Sequence, residues 1–432
     1  MKNTNKKGFT IVELVIVIAV IAILAAVLIP TFVGLVNKAN ESADIQALHT
    51  MNKYLAMEDA KANGKMELMD VYEALAANGI KAKTYTPLYD GRYYFYDTSL
   101  NRILYTDENY NVIAPEEHVG VTKSNNWRTL NGTIKEEKVE AVTDAETGAL
   151  TYKVTTPEQL YYVSKNYSAS SNTVVELPAE LDLLGAAVSF DKAVTGSLKI
   201  TGPDDGVATI KNFVGANQYN ATSKSADGTM RNYNSAFIAS VSGNGTVYLE
   251  NLVFENCYVE TPNAGNIAIV VGSLGTTKGN TIKNVTVKDS KVAGERSVGA
   301  LVGMCYDPAS IQNCKVENVE VLTRSGRSGI VAGLCSMTTD VTKIDAMISN
   351  VTVTNSTLRI WEENKTTQTT GVKVYEGETE VNETFVVCQK ADNQGWYLHC
   401  DDALTWWGSK GAYTVKDANG ETLTVDTYYL VK

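Results

Sequence analysis

The chain has 432 residues, with 38 Lys and Arg against 49 Asp and Glu, for a formal charge of −11. That length exceeds one ordinary domain, and the acidic balance argues against nucleic acid as a partner, because phosphate contacts need clustered basic side chains. Six cysteines in so long a chain do not make a disulfide scaffold.

Residues 6–30 read KKGFTIVELVIVIAVIAILAAVLIP. As an α-helix the stretch from Phe9 to Ile29 reaches about 30 Å, the thickness of a bilayer's hydrocarbon core. Its one charge is Glu13, which costs roughly 2.5–3.5 kcal/mol in that layer and therefore needs compensation. A cut between Gly8 and Phe9 would create an α-amino group close to Glu13, and the two charges would neutralise each other within a chain or between neighbours. Lys2, Lys6 and Lys7 precede the span and place the N-terminus in the cytoplasm and the bulk of the chain outside. A secretory signal peptide cut near ILAAVL, or a plain signal anchor, would have no use for Glu13 or for the Gly8–Phe9 junction.

This pattern resembles the class III signal of type IV pilins and pseudopilins, over about the first thirty residues. The resemblance implies that 1–8 is a leader, that a prepilin peptidase cuts after Gly8 and methylates Phe9, and that 9–29 first spans the membrane and then packs in a filament core. It also implies that Glu13 pairs with the N-terminus of an adjacent subunit, and that Pro30 kinks the helix. The partners are then the peptidase, other pilin subunits and, before assembly, the membrane; no cofactor is expected.

Beyond Pro30 a polar helical pattern through Val33, Val36, Ala43, Ala47, Met51 and Leu55 gives an amphipathic stripe that stops near Asn63–Gly64. A second helix is expected over 67–77, ending at Asn78–Gly79. Strand formers at 92–98, 102–106 and 111–114, separated by polar turns, predict a small antiparallel meander. Residues 30–118 thus read as a pilin-like head. The charged stretch 119–153 reads as a linker, with room for a short hairpin.

From 154 to 365 the signal is an internal repeat. NLVFENCYV, NVTVKDSKV, NCKVENVEV and NVTVTNSTL begin at Asn251, Asn284, Asn313 and Asn350, spaced by 33, 29 and 37. Between them AIVVGSL, GALVGMC and GIVAGLC set Gly272, Gly303 and Gly333 at spacings of 31 and 30. A period near thirty with alternating apolar positions predicts one coil of a β-solenoid per repeat, with the asparagines stacked at a corner. The lead-in from Lys153, with a short helix over 157–165, resembles the start of right-handed parallel β-helix domains of bacterial surface proteins, where that helix caps the open end. A β-sandwich is the alternative, but it needs no near-identical elements thirty residues apart. Cys305 and Cys335 hold equivalent positions, with Leu274 one coil earlier, which predicts buried thiols.

Residues 366–432 read as a β-rich end piece. A hairpin centred on Gln394 would set Cys388 opposite Cys400, an arrangement a disulfide can bridge outside the cytoplasm. Trp396, Trp406 and Trp407 crowd this segment, either as its core or as flat faces for a host or environmental glycan. His49, His118 and His399 lie far apart, the repeat acids fall at different offsets, and Arg296 and Arg327 read as a solvated loop pair, so no metal or catalytic site is expected. The fold class is α+β: a long pilin helix with a meander head, a right-handed parallel β-helix and a β-rich end piece. The expected function is a filament subunit displaying an adhesive domain, either minor, at the tip, or decorating the shaft. The alternatives are a pseudopilin of a type II secretion or competence system and, from another class, a membrane-tethered glycan-processing enzyme.

Overall fold

The computed structural model describes residues 11–59, 66, 68–203, 206–215, 235–260, 265–276, 278–294, 297–306, 309–323, 327–336, 348–360, 373–376, 379–380, 386–389, 405–406, 413–416 and 427–431. The chain forms two compact units, Met1–Ser124 and Asn125–Lys432. A long N-terminal helix is followed by a β-rich body, the α+β arrangement expected from the residues.

In the first unit, α1 runs from Ile11 to Asp59 and α2 from Leu68 to Ala77. The stop after α2 is the expected one. Gly79 takes a φ of +78°, and the Gly79 and Ile80 amides donate to Ala76 and Leu75 carbonyls at 2.9 and 3.0 Å. The meander follows as β1 (Tyr93–Asp97), β2 (Arg102–Thr106) and β3 (Val112–Ala114), antiparallel in the order β3-β2-β1. Asp97 closes the first turn by accepting from the Ser99 and Leu100 amides, with Asn101 at positive φ. Leu48, Met51 and Leu55 of α1 and Val71 and Leu75 of α2 are fully buried, as are Phe95, Tyr96, Ile103 and Leu104 of the meander.

The buried side of α1 keeps Met51 and Leu55 of the expected stripe and departs from it by one residue ahead of them. Asp44 and Leu48 are buried, whereas Ala43 is exposed and Ala47 half-buried. The set 44, 48, 51, 55 alternates steps of four and three and stays on one face of a 3.6-residue helix, while steps of four alone drift around it.

In the second unit, α3 spans Pro157–Asn166. Thr156 caps it by accepting from the Gln159 amide at 3.2 Å, and the Gln159 side chain accepts from the Thr155 amide at 2.9 Å. This reciprocal capping starts the helix where proline fits the first turn. Within the stretch read as a linker, Val142–Thr143 and Leu150–Lys153 form an antiparallel hairpin. Leu150–Lys153 also pairs in parallel with Asn172–Glu176. The Thr129 amide donates to Leu184 O, and the Ala187 amide to Gly132 O, both at 2.7 Å.

The strands pair in parallel, each with its equivalent in the next repeat, 29 to 37 residues on from Thr246–Glu255 onward and further apart between Ser197–Thr201 and Thr246–Glu255. In the main sheet Ser197–Thr201, Thr246–Glu255 and Asn280–Gly294 are successive neighbours, followed by Ala309–Gln312 and Lys315–Thr323, then Ile348–Ser349, Thr352–Thr354 and Thr357–Ile360. A second sheet stacks Ile238–Gly243, Val271–Thr276, Val302–Tyr306 and Ala332–Ser336. A third stacks Asn266–Ala268, Ser297–Gly299 and Arg327–Ser328. Register places like on like: Ile200, Leu249, Ile282, Ile311 and Ile348 form one fully buried column, and Phe254, Val287, Val316 and Val353 another, buried throughout. Each such side chain contributes about 1.5–3 kcal/mol of burial. Rings in the first part of this unit meet edge to face, with centroids 5.1 Å apart for Tyr167–Phe190, 5.5 Å for Phe190–Phe237 and 5.2 Å for Phe237–Phe254.

Candidate functional site

One helix carries two different surfaces. From Ile11 to Val36 its large apolar side chains are exposed, Ile11 at 82% and Phe32 at 67%, whereas Leu48, Met51 and Leu55 are at 0%. Among the described residues α1 is the one helix long and apolar enough to cross a membrane. An apolar sleeve of this extent is unfavourable in water and requires lipid or other apolar helices around it. Glu13 lies exposed in the first described turn. The helix is unbroken across Pro30. Proline offers no N–H to the preceding turn, and the Thr31 hydroxyl donates to Val27 O at 3.0 Å beside that gap. Gly8 and Phe9 lie outside the described residues.

The other end of α1 is held to the head by two polar clamps that the sequence reading missed, one buried and one half-buried. The Asp44 carboxylate, 2% exposed, accepts from the Leu88 amide at 2.8 Å, the Tyr89 amide at 3.0 Å and the Tyr105 hydroxyl at 3.2 Å. Asp44 O takes the Tyr94 hydroxyl at 2.7 Å. Two turns on, the Asn52 side chain mimics a strand partner: its amide donates to Ile103 O and its oxygen accepts from Ile103 N, both at 2.8 Å. Burial and the Asp44 charge together push the Tyr94 and Tyr105 phenols well above the ordinary tyrosine range. Arg92 packs over the Tyr89 ring at 4.5 Å and reaches Glu41 at 3.5 Å. The sequence signal for both clamps was a polar residue in phase with the apolar stripe.

In the body the expected asparagine column is present, and a second accompanies it. Asn251, Asn284, Asn313 and Asn350 all take positive φ; Asn284 Nδ2 donates to Asn251 Oδ1 at 2.9 Å and Asn350 Nδ2 to Asn313 Oδ1 at 2.5 Å. Five residues further along each repeat, Asn256, Asp289, Asn318 and Asn355 do the same, preceded by Asn212. Asn256 Nδ2 donates to Asn212 Oδ1 at 2.6 Å, and Asn318 Nδ2 to Asp289 Oδ1 at 2.7 Å.

Cys305 is fully buried and aligns in register with Leu274 and Cys335. Cys257 and Cys314 are buried too, and burial pushes both thiols up to about 12. Cys388 lies on Val386–Gln389, which pairs with Thr427–Val431 so that Tyr428 stands opposite; Cys400 lies outside the described residues. Trp406 pairs in register with Leu430, while Trp396 and Trp407 lie outside the described residues. Arg327 aligns with Ser297, and Arg296 lies outside the described residues. Among the described residues no group of three or more His, Cys, Asp or Glu is placed to hold a metal.

Residues 3–29 match the family model of the prokaryotic N-terminal methylation motif. The chain is similar to the type IV wide pilus major component PilA4 of Thermus thermophilus, at 49% identity over 53 residues, which are 12% of this chain and 40% of that protein. The chain thus spans about two fifths of the length of the curated relative it matches. No solved structure matches the chain. The N-terminus therefore carries the prepilin methylation motif and is similar to that of a type IV pilin, and its apolar helix fits membrane anchoring and a surface filament.

Proposed function

We propose that this protein is a type IV pilin-like subunit, cut after Gly8 and methylated on Phe9 by a prepilin peptidase, which assembles with other pilin subunits into a surface filament and displays a large adhesive body. The observation that carries the reading is the division of α1 into an exposed apolar sleeve bearing Glu13 and a buried stripe bearing Asp44, with half-buried Asn52 beside it. Lipid before assembly and neighbouring helices afterwards both remove that sleeve from water. In the filament Glu13 neutralises the N-terminal amine of a neighbour and sets the axial register, and Pro30 supplies the point where the helix adjusts. The N-terminus faces the cytoplasm before assembly.

The body is read as a right-handed parallel β-helix. Three parallel sheets with a period near thirty support this, as do like-on-like inward columns and Asx ladders at its turns. Its bulk would crowd a densely packed shaft, which favours a minor, tip or decorating subunit. Its role is adhesion to a host or environmental glycan, with the tryptophans of the end piece as one contact. The methylation motif and the pilin match support a structural rather than enzymatic subunit.

Co-expression with a prepilin peptidase tests the reading. N-terminal sequencing should find N-methylated Phe9, and Gly8→Ala should leave the leader uncut. Glu13→Ala should insert in the membrane and fail to enter filaments by immunogold labelling; normal incorporation would refute the role given to Glu13.

A further inference from the structure

On Thr246–Glu255 the side chains alternate between interior and solvent. Val247 and Leu249 are fully buried, while Tyr248 between them is 42% exposed. Phe32 and Tyr248 are the exposed aromatics among the described residues, and Phe32 belongs to the sleeve of α1. The rings of Tyr167, Phe190, Phe213, Phe237 and Phe254 all turn inward. Packing does not explain Tyr248, because its register neighbours on the same face are Lys199 and Thr281, about 4.8 Å away on either side. Thr246 and Glu250 flank it along its own strand, and Glu250 pairs with Lys283 at 2.8 Å. One open ring therefore stands in a frame of hydroxyls, an ammonium and an ion pair, with no apolar side chain next to it.

That surround decides the ligand class. A protein partner held by apolar contact would find a single ring, far less than the clustered apolar centre such interfaces need. A sugar has an apolar C–H face to lie on the ring and hydroxyls to bond with the threonines, Glu250 and Lys283. Glu250 and Lys283 neutralise each other, leaving the exposed Lys199 as the local charge, positive in a chain of net −11. We infer that Tyr248 and Lys199 form a carbohydrate-binding platform on the outer face of the main sheet, taking a pyranose that carries a carboxylate. This rests on the reading of the body as a displayed domain and gives that reading a site and a ligand class.

The test uses the full-length protein in detergent micelles, with hyaluronan decasaccharide and oligogalacturonate as probes and dextran of equal length as the neutral control. Saturation-transfer NMR should show the acidic sugars bound through ring C–H protons, and titration should show dextran binding more weakly. Tyr248→Ala should weaken acidic-sugar binding at least tenfold with an unchanged melting temperature, Tyr248→Phe should retain it, and Lys199→Gln should remove the preference over dextran. Equal binding by wild type and Tyr248→Ala, no binding of either acidic probe by wild type, or a preference for dextran would overturn the inference. Immunogold labelling of filaments is scored separately: absence of the wild-type protein from filaments, with sugar binding intact, would sink the display reading and leave the platform standing.

Discussion

Replacing Asp44 with alanine should release the Leu88–Tyr89 loop without unfolding the chain. The carboxylate is 2% exposed and accepts from two backbone amides and one phenol, at 2.8, 3.0 and 3.2 Å. Alanine leaves all three donors without their acceptor, and a buried donor so stranded costs about 1–3 kcal/mol. Leu88 is 64% exposed, so water reaches one end of the loop and holds the sum near about 3 kcal/mol rather than its upper bound. At about 1.4 kcal/mol per factor of ten, opening of the loop should become roughly a hundredfold more frequent. Hydrogen-exchange mass spectrometry on a peptide covering 86–92 reads this directly, with a peptide from 281–288 as internal reference. Asp44→Asn keeps the shape but turns an NH₂ toward one of the donors, and its exchange should fall between wild type and alanine. Unchanged protection of 86–92 in Asp44→Ala would refute the claim that this carboxylate fixes the loop to α1.

Gly303→Ala should lower the melting temperature of the body by the equivalent of more than about 2 kcal/mol, because its Cβ would come within 2.5 Å of Ile267 N and 2.6 Å of Gly272 O, both backbone; an unchanged transition would contradict the close approach. At about pH 8, iodoacetamide should spare Cys257 and Cys314 in the native protein and modify both after denaturation, since burial holds their thiols near 12; rapid native labelling would show the interior to be open. Burial also pushes Tyr85 up to about 12 and raises Tyr94 and Tyr105. Unfolded tyrosine loses its proton near about 10, so the head's stability should be intact below that pH and fall as pH rises toward 12 and beyond, followed by circular dichroism and tyrosinate absorbance. Ionisation of these phenols near pH 10 with the fold unchanged would contradict their burial.

Which parts were legible in the sequence follows from how local their physics is. Apolar length, one carboxylate and a glycine junction are written consecutively from Lys6 to Ile29, and the motif match, residues 3–29, covers them. The Asn78–Gly79 stop and the three meander strands came out within a residue or so because capping and turn chemistry act over four or five neighbours. The clamps did not come out. What makes Asp44 an anchor is a loop about 45 residues further on that gives it two backbone amides. Asn52 carries the same in-phase polar signal, but its role depends on Ile103, 51 residues away.

The second Asx column shows the converse, a local signal that was present and passed over. Each repeat carries its two corner residues in one short string, NLVFEN, NVTVKD, NCKVEN and NVTVTN, but matching by identity stops at Asp289. The property that repeats is tolerance of positive φ, shared by Asn and Asp because their short side chains bond locally, and costing other non-glycine residues roughly 1–2 kcal/mol each. The four residues between two such corners present two side chains inward and two outward, so Leu252 and Phe254 are buried while Val253 and Glu255 face out. A slip of one residue in any repeat would move both corners off Asx, break the side-chain bonds to the preceding repeat and turn the buried column toward water at once. Register is thus fixed by corner, side-chain bond and buried column together in every repeat, which is why the loops between repeats tolerate different lengths, with corners from 29 to 44 residues apart, without disturbing the columns.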